Sequence, residues 1–444
     1  MRKRLKKPWK LPTNPLTQKL FFLMKPLSVL VLVLAGWLSA DAQSTNELSQ
    51  LIARSYSHFP RVKEAENAVA TAEARLAATE TNLPTVDLNG NYRFQMPRIE
   101  FPLGNAKLLA QPVNNVDLNL SAQYLVLDFG RLKASVNRAK QDIALAQGSV
   151  DQAKQQLAAQ VAGIYYSVLY LKQALAVQEA VIDFYQQSRD LIERRLNNGD
   201  AIRLDLLTVQ SSLDQEKNRR ADLQNQLNKQ LNLLEYTTGV GTVAGTQFPA
   251  SRPLPDTSGL SSGRSGFVDL QLAQIRLRQA EADREVIARG HQPSLSASAV
   301  AGPRNGFLPT VNDLRFAYGA GVGLKIPLFD GQRTRRQLAV NQTVIEQNKL
   351  ALASTEEQWR KDVRQAFLDL QSNAERVQNT ATQTAQAEAA QTITAARLQS
   401  GVATPLDLQN AATNVQRAAL SRLQYEYQFW LAQVEWDRLM GGVR

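Results

Sequence analysis

From residue 132 to 195, apolar side chains recur every seven positions. Val136, Ile143, Val150, Leu157, Ile164 and Leu171 form one seam, and Ala139, Ala146 and Ala153 fill the other. The remaining positions are mostly Gln, Asn, Lys, Asp and Ala. A sustained heptad of this kind predicts a coiled-coil helix with wet outer faces, and small residues in one seam allow close helix approach. The stretch holds no proline and only two glycines, Gly148 and Gly163. At 1.5 Å per residue it extends about 95 Å, far beyond an ordinary globular helix. Leu338, Ile345, Leu352 and Trp359 mark a second seam of the same kind. The pattern predicts long helices over 131–195 and 332–397, each flanked by two shorter ones, 47–81 with 204–238 and 266–290 with 406–440. Stacked end to end, the first short pair nearly matches one long helix, which suggests the wall of a tall cylinder. These stripes read as core packing and give no reason to invoke a cofactor.

Between the first short helix and the long helix of each set the period changes to two. Val86, Leu88, Tyr92 and Phe94 alternate with Asp87, Asn89, Asn91 and Arg93. Val116, Leu118, Leu120, Ala122, Tyr124 and Val126 alternate with Asp117, Asn119, Ser121 and Gln123. Phe316, Tyr318, Ala320, Val322, Leu324 and Ile326 alternate with Ala317, Gly319, Gly321, Gly323 and Lys325. Leu295, Ala297, Ala299 and Ala301 do so more weakly with Ser296 and Ser298. Strict alternation predicts strands with one apolar and one polar face, two within 85–127 and two within 293–327. Runs of about ten residues suit a tilted membrane strand. A soluble sheet with its apolar face on a core is the alternative. The flanking helices argue against it, because none presents a broad apolar face. Residues 96–114, with Pro97, Pro102 and Pro112, read as an external hairpin loop, and 303–313 as a second.

The two sets of elements are copies. Arg195-Leu196 and Arg397-Leu398, Gly199 and Gly401, Leu204-Asp205-Leu206 and Leu406-Asp407-Leu408, Arg220 and Arg422, and Gly239 and Gly441 all lie 202 residues apart. The same offset relates Tyr165 to Phe367, Val161 to Val363 and Asp128 to Asp330. The expected organisation is a first repeat over 43–238, a second over 266–444, and between them a linker, 239–265, rich in Gly, Ser, Pro and Thr.

Composition refines this picture at the N-terminus. Arg2, Lys3, Arg4, Lys6, Lys7, Lys10, Lys19 and Lys25 precede a short apolar run from Leu27 to Leu38 and an Ala40-Asp41-Ala42 cleavage pattern. That combination predicts a secretory signal over residues 1–42, since the apolar run is too short to span a bilayer; a retained anchor is the alternative. Of the 51 basic and 40 acidic residues, eight basic and one acidic lie within 1–42, so the net charge of +11 falls to +4 beyond them. No basic stripe with interleaved aromatics is present, which argues against nucleic acid as a partner. The absence of cysteine rules out disulfides, thiol catalysis and a lipidated N-terminal cysteine. No apolar run of membrane-helix length follows residue 42, so entry into a bilayer requires a β-barrel. Four strands cannot close one, and open edges in lipid leave backbone groups unsatisfied. The chain is therefore expected to oligomerise; two, three or four copies all reach the roughly eight strands that such barrels need.

The chain resembles the TolC-like outer-membrane efflux proteins over about residues 48–441. The resemblance rests on the duplication, on the strand exits Leu127-Asp128-Phe129-Gly130-Arg131 and Pro327-Leu328-Phe329-Asp330-Gly331-Gln332-Arg333, and on the R-L-x-x-G-x-x-x-x-L-D-L signature in both copies. It implies an α+β membrane protein. Three copies would form a 12-strand outer-membrane β-barrel with four strands from each chain, continued by a periplasmic α-helical coiled-coil barrel. It also implies a periplasmic adaptor (membrane fusion) protein and an inner-membrane transporter as partners, outer-membrane lipid around the strands, and no enzymatic activity. The acylated cysteine of some members is absent.

Candidate chemistry is confined to the helix turns. The two histidines, His58 and His291, lack clustered ligand partners, which argues against a metal site, and no phosphate-binding glycine loop is present. Gly199 and Gly401 are expected to end the long helices with positive φ. By the resemblance, Arg195, Leu196, Gly199 and Leu204, with Arg397, Leu398, Gly401 and Leu406, form the periplasmic mouth and meet adaptor hairpins. The alternative is that they only stabilise the helix–turn–helix. The resemblance further makes Asp407 a lumen-facing constriction residue, with Asn410 where strong rings have a second acid, and Asp205 its counterpart. Opposed carboxylates there would attract cations and repel anions; helix N-capping is the ordinary alternative. The expected function is the exit duct of a tripartite small-molecule efflux system. A type I protein-secretion duct and a pore-free periplasmic scaffold or adhesin are the competing readings.

Overall fold

The computed structural model describes residues 47–103, 106–249, 253–255 and 266–442. The expected export signal and part of the linker between the copies lie outside the described residues. Seven helices stand among the described residues: α1 (47–58), α2 (Pro60–Glu80), α3 (Arg131–Asn198), α4 (Arg203–Thr238), α5 (Val268–Arg289), α6 (Arg333–Gln399) and α7 (Pro405–Leu439). The strands are β1 (Thr85–Phe94), β2 (Glu100–Leu103), β3 (Ala106–Leu109), β4 (Asn114–Leu127), β5 (Ser294–Arg304) and β6 (Arg315–Lys325). Helices α3 and α6 contain 68 and 67 residues, about 100 Å each. The stretch expected as one helix over 47–81 is interrupted at Phe59, next to Pro60, whose ring lacks the N–H that a continuous helix would use.

Two compact units cut across the sequence repeats. One gathers the chain up to Phe59, the stretch from Gln155 to the linker and the stretch from Asp362 onward. The other gathers Pro60–Lys154 and the stretch from the linker to Lys361. Each takes part of its mass from both copies, because each long helix contributes its first part to one unit and its remaining, longer part to the other.

The second unit carries an antiparallel sheet in the order β1-β4-β5-β6. From the hairpin ends as far as Leu125 its register keeps the alternation coherent across all four strands. Leu88 faces Leu120, Leu120 faces Ala301, and Ala301 faces Tyr318 on one face. Asn91, Asp117, Arg304 and Arg315 form a row on the other. The apolar face meets no core within this unit: Leu88, Tyr92, Phe94, Phe316 and Val322 are exposed, and Tyr318 is 86% exposed. A soluble sheet resting on a core therefore does not describe this element. The outer edges of β1 and β6 have no strand partner in the sheet.

The register of β4 with β5 shifts at one place, between Leu125 and Leu127, and is constant from Asp117 to Leu125. Asp117 pairs with Arg304 and Leu120 with Ala301. Between these pairs the backbones approach so closely that a Cβ on Gly302 would stand 2.1 Å from the Leu118 carbonyl oxygen and 2.7 Å from Asn119 Cα. The loop expected over 96–114 contains a small two-stranded ribbon, β2 with β3. Pro102 is tolerated there because each strand of a two-stranded ribbon has one edge that donates no ladder bond.

Helix packing in the same unit is tight and polar at its margins. A Cβ on Gly148 of α3 would stand 2.8 Å from Leu272 Cδ2 of α5, so the glycine permits close approach. Arg138 of α3 bridges Asp142 and Asp283, Gln279 donates to Asp142 at 2.7 Å, and Gln152 donates to Asp269 at 2.6 Å. The first unit has the larger apolar core. Val161, Tyr165, Val168, Leu169, Leu234, Leu370 and Leu439 are almost fully buried, and Tyr166 stacks on Trp430 with ring centroids 5.2 Å apart. The duplicated pair Val161 and Val363 is buried in both copies, as a shared packing seam requires.

Candidate functional site

The two helix turns expected from the repeat both lie in the first unit and are built alike. Gly199 and Gly401 adopt φ of 87° and 78°, values that a side chain makes costly. Around each, the carbonyls left over at the helix end find the same partners. Gly199 N–H donates to Leu196 O at 3.1 Å and Asp200 N–H to Arg195 O at 2.8 Å. Gly401 N–H donates to Leu398 O at 3.0 Å and Val402 N–H to Arg397 O at 2.9 Å. Both are Schellman ends, in which left-handed glycine closes the helix and reverses the chain.

The next helices start differently. Thr404 is the N-cap of α7: its hydroxyl accepts from Asp407 N–H at 3.2 Å. The Asp407 carboxylate accepts from Thr404 N–H at 2.9 Å and from the Thr404 hydroxyl at 2.8 Å. This is a complete capping box, followed by Pro405 at the first helical position. Asp407 thus stands three residues inside the helix rather than at the cap itself. In the first copy the cap position is Ile202, which has no side-chain acceptor. Only half of the box survives, with Asp205 accepting from Ile202 N–H at 3.3 Å. The Thr404 backbone N–H and hydroxyl, helped by the Arg397 charge, hold the Asp407 carboxyl below the ordinary aspartate range.

A pH effect follows. A depressed folded-state pKa contributes stability that is fully present above the unfolded value, about 3.9, and is lost as the pH falls through the depressed one. The carboxylate box therefore holds at neutral pH and opens only below the ordinary aspartate range. In Thr404→Ala the Asp407 titration, followed by carboxyl carbon NMR on a detergent-solubilised sample, is expected to move up toward the ordinary value. An unchanged titration would show that the box is not what sets it.

The tips of the two copies pack on each other within this unit. Arg195 donates from Nη2 to Leu398 O at 2.7 Å, and Gln409 donates to the Ser212 hydroxyl at 2.7 Å. Phe184, Tyr185, Ile192, Val209, Leu398 and Leu408 enclose the space between. Leu398 is only 3% exposed, so it belongs to the tip's own core and offers no surface. Leu196 is half-buried, whereas Leu204 and Leu406 are exposed, as are Ile202, Leu207 and Val402, which the sequence reading passed over. Their signal was present: apolar residues beside a turn glycine, where solvated turns are normally polar. Arg397 and Asn410 are exposed, and Asp205 is half-buried.

Higher in the same unit lies a polar layer that the sequence reading also missed. Glu216 of α4 is buried, with one oxygen accepting from Gln178 of α3 at 2.7 Å and from Gln416 of α7 at 2.9 Å. Its other oxygen accepts from Arg219 at 2.7 Å. Gln178 also donates to Glu216 O at 2.9 Å, and Gln416 donates to Gln178 Oε1 at 3.2 Å. Both glutamines are buried. Gln178 is the seam position one heptad beyond Leu171, so its signal was a polar residue interrupting an apolar stripe. The matching position in the second copy is Thr380, whose hydroxyl is satisfied within its own helix by Arg376 O at 2.7 Å.

No group of His, Cys, Asp and Glu suited to a metal stands among the described residues. His58 lies against Gly239, and His291 faces Asp330 at 3.8 Å. No helix among the described residues is long and apolar enough to cross a membrane.

Residues 51–240 and 265–442 match the family model described as outer membrane efflux protein. The chain belongs to that family. It is 25% identical over 264 residues to the probable efflux pump outer membrane protein SepC of Pseudomonas putida, a match covering 56% of this chain and 52% of SepC. The chain thus spans about half the length of that relative. In three dimensions it is similar to the outer membrane protein VceC of Vibrio cholerae, with a TM-score of 0.74 and 19% identity over 89% of this chain and 96% of VceC. It is also similar to the MtrE outer membrane channel of Neisseria gonorrhoeae, with a TM-score of 0.71 and 18% identity over 89% of each chain. As an outer membrane efflux protein, the chain has four strands for the outer membrane and long helices for the periplasm. Its family and structural neighbours are channels, not enzymes.

Proposed function

We propose that three copies of this chain assemble into one duct, with a 12-strand barrel in the outer membrane and a helical tunnel in the periplasm. The duct passes small molecules delivered by an inner-membrane transporter through a periplasmic adaptor. The observation that carries this reading is the sheet: four strands, an exposed apolar face, and two unpaired edges at β1 and β6. In lipid both edges must find partners, and β6 of one copy against β1 of the next supplies them without a new element. The test is the mass of the detergent-solubilised protein by native mass spectrometry. Three chains are expected; a monomer would sink the reading.

At the tip, Asp407 and Asn410, with Asp205 from the first copy, line the narrowest point. The exposed Leu204 and Leu406 offer the apolar contact for the adaptor, while Arg195, Leu196, Gly199, Arg397, Leu398 and Gly401 shape the turns that present it. The bond from Arg195 to Leu398 O and the packing around Leu398 hold the two tips of a chain together and favour a closed mouth. The double variant Asp407→Ala with Arg397→Ala is expected to raise single-channel conductance and to reduce cation preference. Unchanged conductance and selectivity would remove these residues from the gate.

A further inference from the structure

We propose that Arg93, Arg304 and Arg315 form an anion-binding ring at the hairpin end of the duct, suited to solutes bearing several phosphate or carboxylate groups. This rests on the duct reading above, which puts the polar face of the sheet toward the lumen.

The three arginines share that face and that end. Arg304 and Arg315 are directly opposite each other across β5 and β6. Arg93 is one step further toward the hairpins, opposite Asn115. All three are exposed. Like charges directly opposite in a ladder oppose pairing, so folding alone does not account for the Arg304–Arg315 register. Nor is the charge neutralised locally. The Arg304 guanidinium lies over the Phe307 ring at 5.3 Å, and Arg315 donates to the Thr310 hydroxyl at 2.7 Å. Asp117 is opposite Arg304 in register, yet its carboxylate accepts from Asn119 at 2.7 Å. Among the described residues, none of the three arginines forms an ion pair. Neutral loop groups thus hold Arg304 and Arg315 in place while their charges remain open to a solute.

The faces decide between a soluble anion and a lipid phosphate. Lipid meets the face of Tyr92, Tyr318 and Phe316, and the arginines are on the opposite one. Three copies would bring nine guanidiniums to one rim, against three Asp117 carboxylates in the same row and three Asp313 carboxylates in the adjoining hairpins. Rings of Arg select for anions in pores, and guanidinium forks match phosphate and carboxylate oxygens.

The test uses the full protein in planar bilayers of neutral lipid, with inorganic tripolyphosphate added to one side at a time. Parent channels are expected to be blocked from one side only, at an apparent affinity at least tenfold tighter than channels of Arg304→Gln with Arg315→Gln. Arg304→Lys with Arg315→Lys is expected to retain most of the block, because it keeps the charge. Equal block of parent and glutamine channels would overturn the ring and leave the duct standing. Failure of the parent to form any channel would overturn both. Loss of block only when the bilayer contains anionic lipid would assign the arginines to lipid phosphate and would also overturn the proposal.

Discussion

Replacing Gly302 by valine is expected to abolish the assembled oligomer. The new Cβ would meet the Leu118 carbonyl oxygen at 2.1 Å and Asn119 Cα at 2.7 Å. Both are backbone atoms, so no rotamer change relieves the clash, and β4 and β5 must separate. These are the two central strands of the sheet, where its two hairpins meet. Overpacking alone costs about 1–3 kcal/mol, and the ladder bonds lost around the site add to it. Gly90→Ala is the control: its Cβ would meet only Leu118 Cδ1, at 3.5 Å, and the oligomer is expected to survive. The check is the heat-stable band on a denaturing gel without boiling. An intact band for Gly302→Val would mean that the strand approach is looser than described.

The second large effect is expected in the buried polar layer. Glu216→Ala removes the acceptor shared by Gln178 and Gln416 and leaves a space beneath both. Each buried donor left without an acceptor costs about 1–3 kcal/mol. The remaining contacts, Gln178 to the 216 carbonyl and Gln416 to Gln178 Oε1, compensate in part. A net loss on the order of 2–4 kcal/mol should speed amide exchange in the facing turns of α3, α4 and α7 by about thirtyfold or more. Replacing Gln178, Glu216 and Gln416 together by leucine should restore most of the protection, since a layer with no polar group has none to satisfy. Unchanged exchange in Glu216→Ala would show that the layer contributes little. The layer ties both copies of the repeat together in the unit that carries the two helix turns, so its loss should also loosen the tips.

Much of this architecture was legible in the residues. Heptads gave the long helices to within a few positions, and period-two alternation gave all four sheet strands with their two faces. The matched glycines gave two equivalent turns. What escaped reading depends on distances between elements. The clash that keeps residue 302 a glycine arises from β4, which is nearly two hundred residues away in sequence. The break at Phe59 depended on whether Pro60 starts a new helix or merely bends an old one, which the apolar pattern does not distinguish. Asp407 was legible as a capping residue, but the box depends on Thr404, and the first copy has Ile202 at the matching position. The burial of Leu398, against the exposure of Leu406, is set by the neighbouring tip and leaves no mark in the local sequence. Gln178 was visible as a seam position, but its acceptor on α4 was not.

The central claim is that chains joined along β1 and β6 enclose a water-filled passage. Single-channel recording of the purified protein in planar bilayers, with Asp407→Ala alongside, tests it most directly. Discrete conductance steps that change in size or cation preference in the variant are the predicted result. Absence of steps from protein that also fails to form a detergent-stable oligomer would contradict the claim and favour a pore-free scaffold.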